Sequence, residues 1–507
     1  MMLLGRLAIL AAVLGSVLLV RRYPGHRTVI GVYVVGTLFL PEYGAAEYIE
    51  GVPRPIGVAL IKLTKENAVG IGLVAGSVLF DARRWLAARP RWFDLPMLAW
   101  CGGAVVTALA NSLVYDDPIS GYVPVGAGPV SRVLAVLDYS DLYEGLVQAA
   151  EVTLAWGLPY LLARLYVTDA AKLRDLVLAV VIGAAAYAPL CLLETAVSPQ
   201  LHRWVYGFHQ HEFGQSIRFS GYRPMVFMEH GLAVGFWMVA GAVAAVWLRA
   251  NGALGVIPLP GGRRVSGLWV AVGLGLVAVA CKSTGALVLG AVALAALFAS
   301  RAAGRSLPIA LVLCAAPAYC LVRTQGVWDV NQALALVDSA VGADRAQSLE
   351  FRFQNESVLV ARALERPIVG WGGWGRSRVY DEYGRATTVA DGMWIIVLGK
   401  RGIIGLVTLG VVLIMPVALV LVRHGARLWT DPAAAPTAAA AAVLAVYSID
   451  CVLNAMFNPV YVLVLGALVA LRRDAPAPAP PADAPAGRWR VKPARPVSRL
   501  LRRPRRA

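Results

Sequence analysis

Residues 391–424 read DGMWIIVLGKRGIIGLVTLGVVLIMPVALVLVRH, and they follow the polar interval 323–391. A transmembrane helix needs about 20 predominantly apolar residues, so the run after Gly392 is long enough to cross a bilayer. Further apolar runs lie on both sides of the polar interval. The junction at Asp391 therefore predicts a membrane protein that displays one large charged segment late in its sequence. We expect a functional site in that segment.

The composition agrees with this prediction. The chain has 507 residues, of which 58% are hydrophobic and 15% charged, whereas soluble domains carry about 25% charged residues. Such an apolar excess exceeds what one buried core can hold. We predict an all-α, polytopic integral membrane protein with about 12–13 transmembrane helices and one large extracytoplasmic loop.

Apolar runs of suitable length define the predicted spans. They lie at 2–20, 28–41, 56–80, 94–112, 145–165, 175–196, 226–248, 266–281, 284–300, 307–323, 392–422, 436–453 and 457–471.

Clusters of Arg and Lys occupy alternate connections between these runs, which the positive-inside rule places in the cytoplasm. The other loops, 42–55, 113–144, 197–225 and 324–391, are then extracytoplasmic. The abundance of Arg and Ala favours a bacterial source, so we expect a multi-pass protein of the bacterial cytoplasmic (inner) membrane. The net charge of +17 follows from topology and indicates no nucleic-acid partner.

The chain divides into four predicted regions. N-terminal spans occupy 1–210, a core with the large loop occupies 211–425, and C-terminal spans occupy 426–473. The region 474–507 is Pro/Ala-rich and ends in a run of Arg, typical of a disordered cytoplasmic tail beside anionic lipids.

Several polar residues before the span at 226–248 are candidates for chemistry. His209-Gln210-His211 has the spacing of two zinc ligands on a strand, but no third ligand stands at metal spacing. We therefore predict hydrogen-bonding histidines with neither metal nor cofactor. Glu229 and His230, which open the span, are candidates for proton transfer.

Cationic side chains at the same membrane boundary predict an anion site. Arg218 and Arg223 stand where the positive-inside rule does not explain them, and guanidinium groups can bind a diphosphate. They could instead pair with Glu212 or Glu229. Lys282 lies in another predicted outer hairpin, where it is either an interface anchor or a further phosphate contact.

The large loop supplies the remaining candidates. Arg352 precedes an apolar pattern at 353–366 that predicts an amphipathic helix, and Trp371 and Trp374 could stack on sugars or anchor at the interface. Asp391, at the mouth of the next span, is a candidate general base or a helix N-cap.

The pair Lys400-Arg401 lies inside the apolar run that follows the loop. Two cations within a membrane segment are costly to bury. Their position predicts a broken helix or an internal partner.

In their order and spacing these residues resemble the O-antigen ligase/polymerase family, integral-membrane enzymes that move glycans from a polyprenyl-diphosphate carrier. Four segments between about 210 and 425 carry the resemblance. They are Arg218-Phe219-Ser220-Gly221, Ser283-Thr284-Gly285-Ala286, Arg352 with Pro367 to Gly372-Gly373, and Asp391-Gly392 followed by Gly402-Ile403-Ile404-Gly405. Where many family members have His-Asn, this chain has Asp391-Gly392.

The resemblance implies a metal-independent, inverting glycosyltransferase with its active site on the extracytoplasmic face. The donor would be an undecaprenyl-diphosphate-linked oligosaccharide, and the acceptor a hydroxyl of a glycan, lipid or protein, in polymer formation or ligation. Arg218, Arg223, Lys282 and Arg352 would bind the diphosphate, and Asp391, then Glu229 or His230, would take the acceptor proton. The alternatives are a lipid-linked glycan transporter or flippase and a non-catalytic scaffold for envelope assembly.

Overall fold

Helices form at the apolar runs in the computed structural model of the chain, which describes residues 2–43, 56–58, 61–114, 140–218, 220–258, 264–326, 343–373, 375–383 and 385–471. The helices in chain order are α1 Met2–Arg22, α2 His26–Phe39, α3 Lys65–Phe80, α4 Ala82–Ala87, α5 Leu95–Val114, α6 Ser140–Val152, α7 Leu158–Tyr166, α8 Ala170–Val197, α9 Leu201–Tyr206, α10 Gly231–Ala250, α11 Gly267–Ala280, α12 Thr284–Ala303, α13 Leu307–Thr324, α14 Ala343–Leu364, α15 Met393–His424, α16 Arg427–Thr430, α17 Ala435–Leu453 and α18 Pro459–Ala470.

In the part of the chain that the structure describes, three short antiparallel hairpins lie between the helices. They pair β1 Ile56–Val58 with β2 Ile61–Leu63, β3 Ile217–Arg218 with β4 Gly221–Tyr222, and β5 Val256–Pro258 with β6 Arg264–Ser266. A π-helical turn at Thr153–Gly157 joins α6 to α7 in one continuous rod.

Within the described residues, nine helices are long and apolar enough to cross a membrane, and α11 and α18 are shorter apolar helices. The protein therefore has the architecture of a mostly helical, multi-pass membrane protein, which confirms the predicted class. The exact number of spans stays a prediction.

One predicted span is wrong in its first part. The run 56–80 begins as the hairpin β1–β2, and helix starts only at Lys65. The physical reason is a start signal inside the run. Thr64 is the N-cap, and its backbone N–H donates to the Asn67 side chain at 3.0 Å in a capping box.

The centre of the bundle is built from α10 and α17. In their apolar windows 78% and 83% of the residues are buried, against 22% for the peripheral α1 and α13. The Ala-rich sequence of α17 lets neighbouring backbones approach closely, as small residues do in membrane bundles.

Loops that the sequence predicts on the same side of the membrane contact each other at the same end of the bundle. At one end His26 and Arg27 both contact Asp175 at 3.0 Å. At the other end Glu42 N donates to His202 Nε2 at 3.0 Å. Which end faces the cytoplasm stays a prediction.

The helix α15 is broken at Gly402, where φ is +61° and ψ is −162°. Residues 367–372 fill the break. Trp371 N and Gly372 N donate to the carbonyl oxygens of Gly399 and Lys400, at 2.8 and 2.9 Å, and Ile403 N donates to Pro367 O at 2.7 Å. The break predicted from Lys400-Arg401 is confirmed, since Gly402 directly follows that pair.

An internal partner accompanies the break. Arg401 Nη1 donates to Trp100 O at 2.8 Å, and its guanidinium lies 4.5 Å from the Trp100 ring centroid. The buried cation is therefore stabilised by a carbonyl oxygen and an aromatic face.

Gly402→Ala tests the break. A Cβ at this position would lie 2.3 Å from Ile368 O, and L side chains rarely adopt its φ. Strained backbone costs about 1–3 kcal/mol, so we expect a lower thermal unfolding midpoint of the full-length protein in detergent. Gly410→Ala in the same helix is the control, because nothing lies within 4 Å of that Cβ. An equal midpoint for both variants would contradict the break.

Candidate functional site

The predicted anion-binding residues meet at one end of the bundle. Lys282 connects two of them, because its Nζ donates to Arg218 O at 3.4 Å and its own carbonyl accepts from Arg223 Nη2 at 3.5 Å. Arg223 is buried, whereas Arg218 is partly exposed on the hairpin β3–β4. The sequence separates Lys282 from these arginines by a whole helical hairpin, and the fold brings them together.

Glu194, at the end of α8, holds the segment after Arg223. One oxygen accepts from Met225 N and Val226 N at 2.9 and 2.7 Å, and the other accepts from Leu201 N at 2.9 Å. Val226 has a φ of +50°, which is rare for a β-branched residue. The three hydrogen bonds therefore fix a strained loop directly before Glu229.

Ser220 and Lys282 also have positive φ, +54° and +53°. Strained non-glycine backbone persists only where the surroundings determine it, and it concentrates at functional sites. Ser220, Val226 and Lys282 are three such residues, and all of them lie in the segments that carry the predicted cations.

His230 is the N-cap of α10, where its Nδ1 accepts from Leu232 N at 3.0 Å. Burial, together with the charges of His211, Arg223, Arg218 and Arg352, lowers the pKa of His230 to about 3. The imidazole is therefore neutral. Arg218, Arg223 and Arg352 each disfavour the charged form of the imidazole.

Arg352 and Asp391 form an ion pair, with Nε 3.2 Å from Oδ2. Arg352 also donates from Nη1 to Leu453 O at 3.1 Å. About a third of each charged side chain is exposed, so the pair lies at an accessible surface. The two residues predicted as diphosphate ligand and general base are thus neighbours.

Glu356, one turn after Arg352, fixes the orientation of α14. It accepts from Tyr319 Oη at 2.6 Å and from Arg323 Nε at 3.3 Å, both on α13, and from Trp394 Nε1 at 3.4 Å. The predicted helix in the large loop is confirmed, although it begins earlier, at Ala343, and ends at Leu364 before Pro367.

Glu229 lies beside a second set of charged residues, formed by Glu42, Lys65 and Glu66. Lys65 pairs with Glu42 at 2.9 Å and donates to Phe227 O at 2.8 Å, and Glu66 follows on the first turn of α3. Burial, together with the charges of Glu42 and Glu66, raises the pKa of Glu229 to about 8. Glu229 and His230 therefore stand between a cationic surface and a buried acidic cluster.

Trp371 offers no open face in this structure. It is 8% exposed, and the guanidinium carbons of Arg362 and Arg366 lie 3.4 and 4.0 Å from its ring centroid. Its predicted contact with a sugar would require these arginines to move. Trp374 lies outside the described residues.

The remaining candidates play local roles. His211 packs against His230 with ring centroids 4.8 Å apart and accepts from Glu212 N at 2.8 Å. His209 lies beside Phe213. In the described part of the chain, no group of three or more His, Cys, Asp or Glu could hold a metal ion.

Sequence reasoning missed four residues that build the site: Glu42, Lys65, Glu194 and Glu356. A signal existed for Lys65 and Glu194, because each falls within a predicted apolar span, where ionisable residues are costly. The sequence holds no comparable signal for Glu42 and Glu356, whose partners are distant along the chain.

The arrangement can bind an anionic group at a membrane surface. Arg218, Lys282 and Arg352 present cations with partial exposure, while Asp391 and Glu229 supply carboxylates for proton transfer. Comparison with protein-family models, with curated proteins and with solved structures finds no match for this chain.

The low pKa of His230 predicts acid sensitivity. The unfolded chain binds a proton near pH 6.5 and the folded site only near pH 3, so stability falls as pH drops through this window. We expect His230→Asn, which retains an N-cap side chain, to remove about 2 kcal/mol of the loss between pH 7 and pH 4.5. The measurement is denaturant unfolding at both pH values. Equal pH dependence in both proteins would show that His230 does not titrate as described.

Proposed function

We propose that this protein is a membrane glycosyltransferase. It transfers a glycan from an undecaprenyl-diphosphate carrier to an acceptor hydroxyl at the extracytoplasmic face of the bacterial inner membrane. The observation that supports it is the linkage of Arg218 and Arg223 through the hydrogen bonds of Lys282, together with the accessible ion pair of Arg352 and Asp391. The resemblance to the O-antigen ligase/polymerase family gives the reaction class.

The cations act on the leaving group. As the bond between the anomeric carbon and phosphate oxygen breaks, negative charge develops on the lipid diphosphate. Fixed guanidinium and ammonium groups stabilise that charge more in the transition state than in the bound donor. Arg218, Lys282 and Arg352 are partly exposed and can reach a diphosphate at the surface, while the buried Arg223 supports Lys282.

A carboxylate takes the proton of the attacking hydroxyl. Asp391, which is accessible and pairs with Arg352, and Glu229, which lies just before α10, are the two candidates for this role. A carboxylate serves here where many members of the resembled family have histidine. Attack opposite the leaving diphosphate inverts the anomeric configuration.

A transporter of lipid-linked glycans is the second candidate. The pair Lys65–Glu42 supports it, because charges buried within a bundle are typical of transport and proton pathways. Such a protein would move the intact lipid-linked donor and release no polyprenyl diphosphate.

Transfer activity in nanodiscs tests the proposal. Purified protein receives a polyprenyl-diphosphate oligosaccharide and envelope acceptor extract, and the released polyprenyl diphosphate is quantified. We expect Arg352→Ala and Asp391→Asn each to reduce release by roughly 100-fold or more.

Arg83→Ala is the matched control, since Arg83 is exposed at the opposite end of the bundle. It should retain wild-type release. A product ladder on a gel would indicate polymerisation and a single shifted band ligation. Wild-type protein that releases no polyprenyl diphosphate but moves the donor across vesicles would establish the transporter instead.

A further inference from the structure

A small cavity lies directly below the candidate site. Its polar lining consists of Thr37, Glu42, Lys65, Glu66, Glu229 and Asn458. Its volume is about 10 Å³, which is the space that a single water-sized occupant requires. A sugar or a phosphate does not fit.

The charges around the cavity do not balance. Glu42 pairs with Lys65 at 2.9 Å, while Glu66 and Glu229 face the same ammonium group. Three carboxylates and one ammonium leave two surplus negative charges if all four are ionised. Buried charge without compensation is unstable and is relieved by protonation or by a bound cation.

A further group is aimed into the cavity without a partner. Thr37, on α2, is 4% exposed, and its hydroxyl oxygen makes no hydrogen bond within the described part of the chain. The Oε1 atom of Glu229 is also sealed from solvent and has no hydrogen-bond partner there. A buried hydroxyl and a carboxylate oxygen that face one water-sized space match the needs of a bridging water.

The geometry favours water and protons over a metal ion. The acidic side chains around the cavity do not form a group of metal-ligand geometry in the described residues. Lys65 also occupies one side of the cluster with its own positive charge.

We infer that the cavity is a proton-binding site, with one water between Thr37 and Glu229, and that Glu229 is the group that takes the acceptor proton in the transfer reaction. This inference rests on the proposed glycosyltransferase function. Asp391 then keeps Arg352 in place beside the diphosphate.

The acceptor oxygen forms a bond to the anomeric carbon, and the bond from that carbon to the phosphate oxygen breaks with its electron pair on the diphosphate. The acceptor O–H bond breaks, and its proton moves to Glu229, which shares it with the cavity water and Glu66. Neither an oxidant nor a further reactant is needed.

The electrostatics of the cluster suit this role. A general base works best with a pKa near the working pH, and burial with the nearby charges of Glu42 and Glu66 raises the pKa of Glu229 to about 8, opposed by Lys65. His202, which accepts from Glu42 N, faces the cluster from α9 but is neutral, since burial lowers its pKa to about 4. Transfer should therefore rise with pH as Glu229 ionises.

Two substitutions that should shift the pKa of Glu229 in opposite directions test whether its ionisation controls the transfer rate. Glu66→Gln removes a negative charge beside Glu229, so the acid limb of the pH–rate profile should move down by roughly one pH unit. Lys65→Gln removes the positive charge, so the limb should move up by a similar amount. Two control variants remove the same charges away from the cavity: Glu382→Gln at an exposed position, and Lys172→Gln at a partly exposed position where Lys172 pairs with Asp169. Both should leave the pH–rate profile unchanged.

A second readout is independent of transfer. Infrared pH-difference spectroscopy of the full-length protein in nanodiscs should show a buried carboxyl carbonyl band that titrates near pH 8. The band should disappear in Glu229→Gln and change frequency in Thr37→Val. Its absence from the wild type would overturn the proton-binding site whether or not the protein transfers glycans.

If the band titrates but the acid limb of the pH–rate profile stays fixed in both Glu66→Gln and Lys65→Gln, Glu229 is not the base. If the band titrates and no glycan is released, the proton site stands and the proposed function fails. Because Thr37→Val and Glu66→Gln are nearly isosteric, they keep the test valid if Glu229→Gln does not fold.

Discussion

Backbone groups inside a membrane must find hydrogen-bond partners within the protein, and the break in α15 depends on this constraint. Gly402 interrupts the helix, and segment 367–372 enters the gap, where its backbone pairs with residues on both sides of the break. Irregular backbone at membrane depth is tolerated only where protein covers it. The large charged segment is therefore a structural part of the bundle as well as a surface feature. The positions of α14 and of the first half of α15 both follow from this insertion.

The site is assembled from segments that the same packing fixes. Glu356 holds α14 against α13 and α15, which places Arg352 beside Asp391. Glu194 imposes the strained backbone before Glu229 and His230. In each case a buried carboxylate on one element binds a neighbouring segment, so the reactive groups lie on supported backbone. This arrangement preorganises charge, which is the requirement for stabilising a leaving diphosphate.

The sequence predicted what depends on local pattern. Apolar runs predicted the spans, Lys400-Arg401 predicted the broken helix, and Pro367 predicted the end of α14. Pairs between residues distant in the sequence could not be predicted, since no local pattern links Arg352 with Asp391 or Lys65 with Glu42. The hairpin at 56–63 was missed because a hydropathy window averages over the start signal at Thr64. The prediction for Trp371 treated the ring as accessible, and two arginines of α14 and its following turn cover it.

The insertion of 367–372 into α15 also constrains biogenesis. The chain is synthesised from its N-terminus, so this segment is made before Gly402 and the second half of the helix. It cannot make its hydrogen bonds until the later residues have entered the bilayer. Lys400 and Arg401 must meanwhile be shielded from lipid, with Trp100 already available as the partner of Arg401. The interval between synthesis of 367–372 and synthesis of Gly402 is therefore a stage at which these backbone groups lack their final partners.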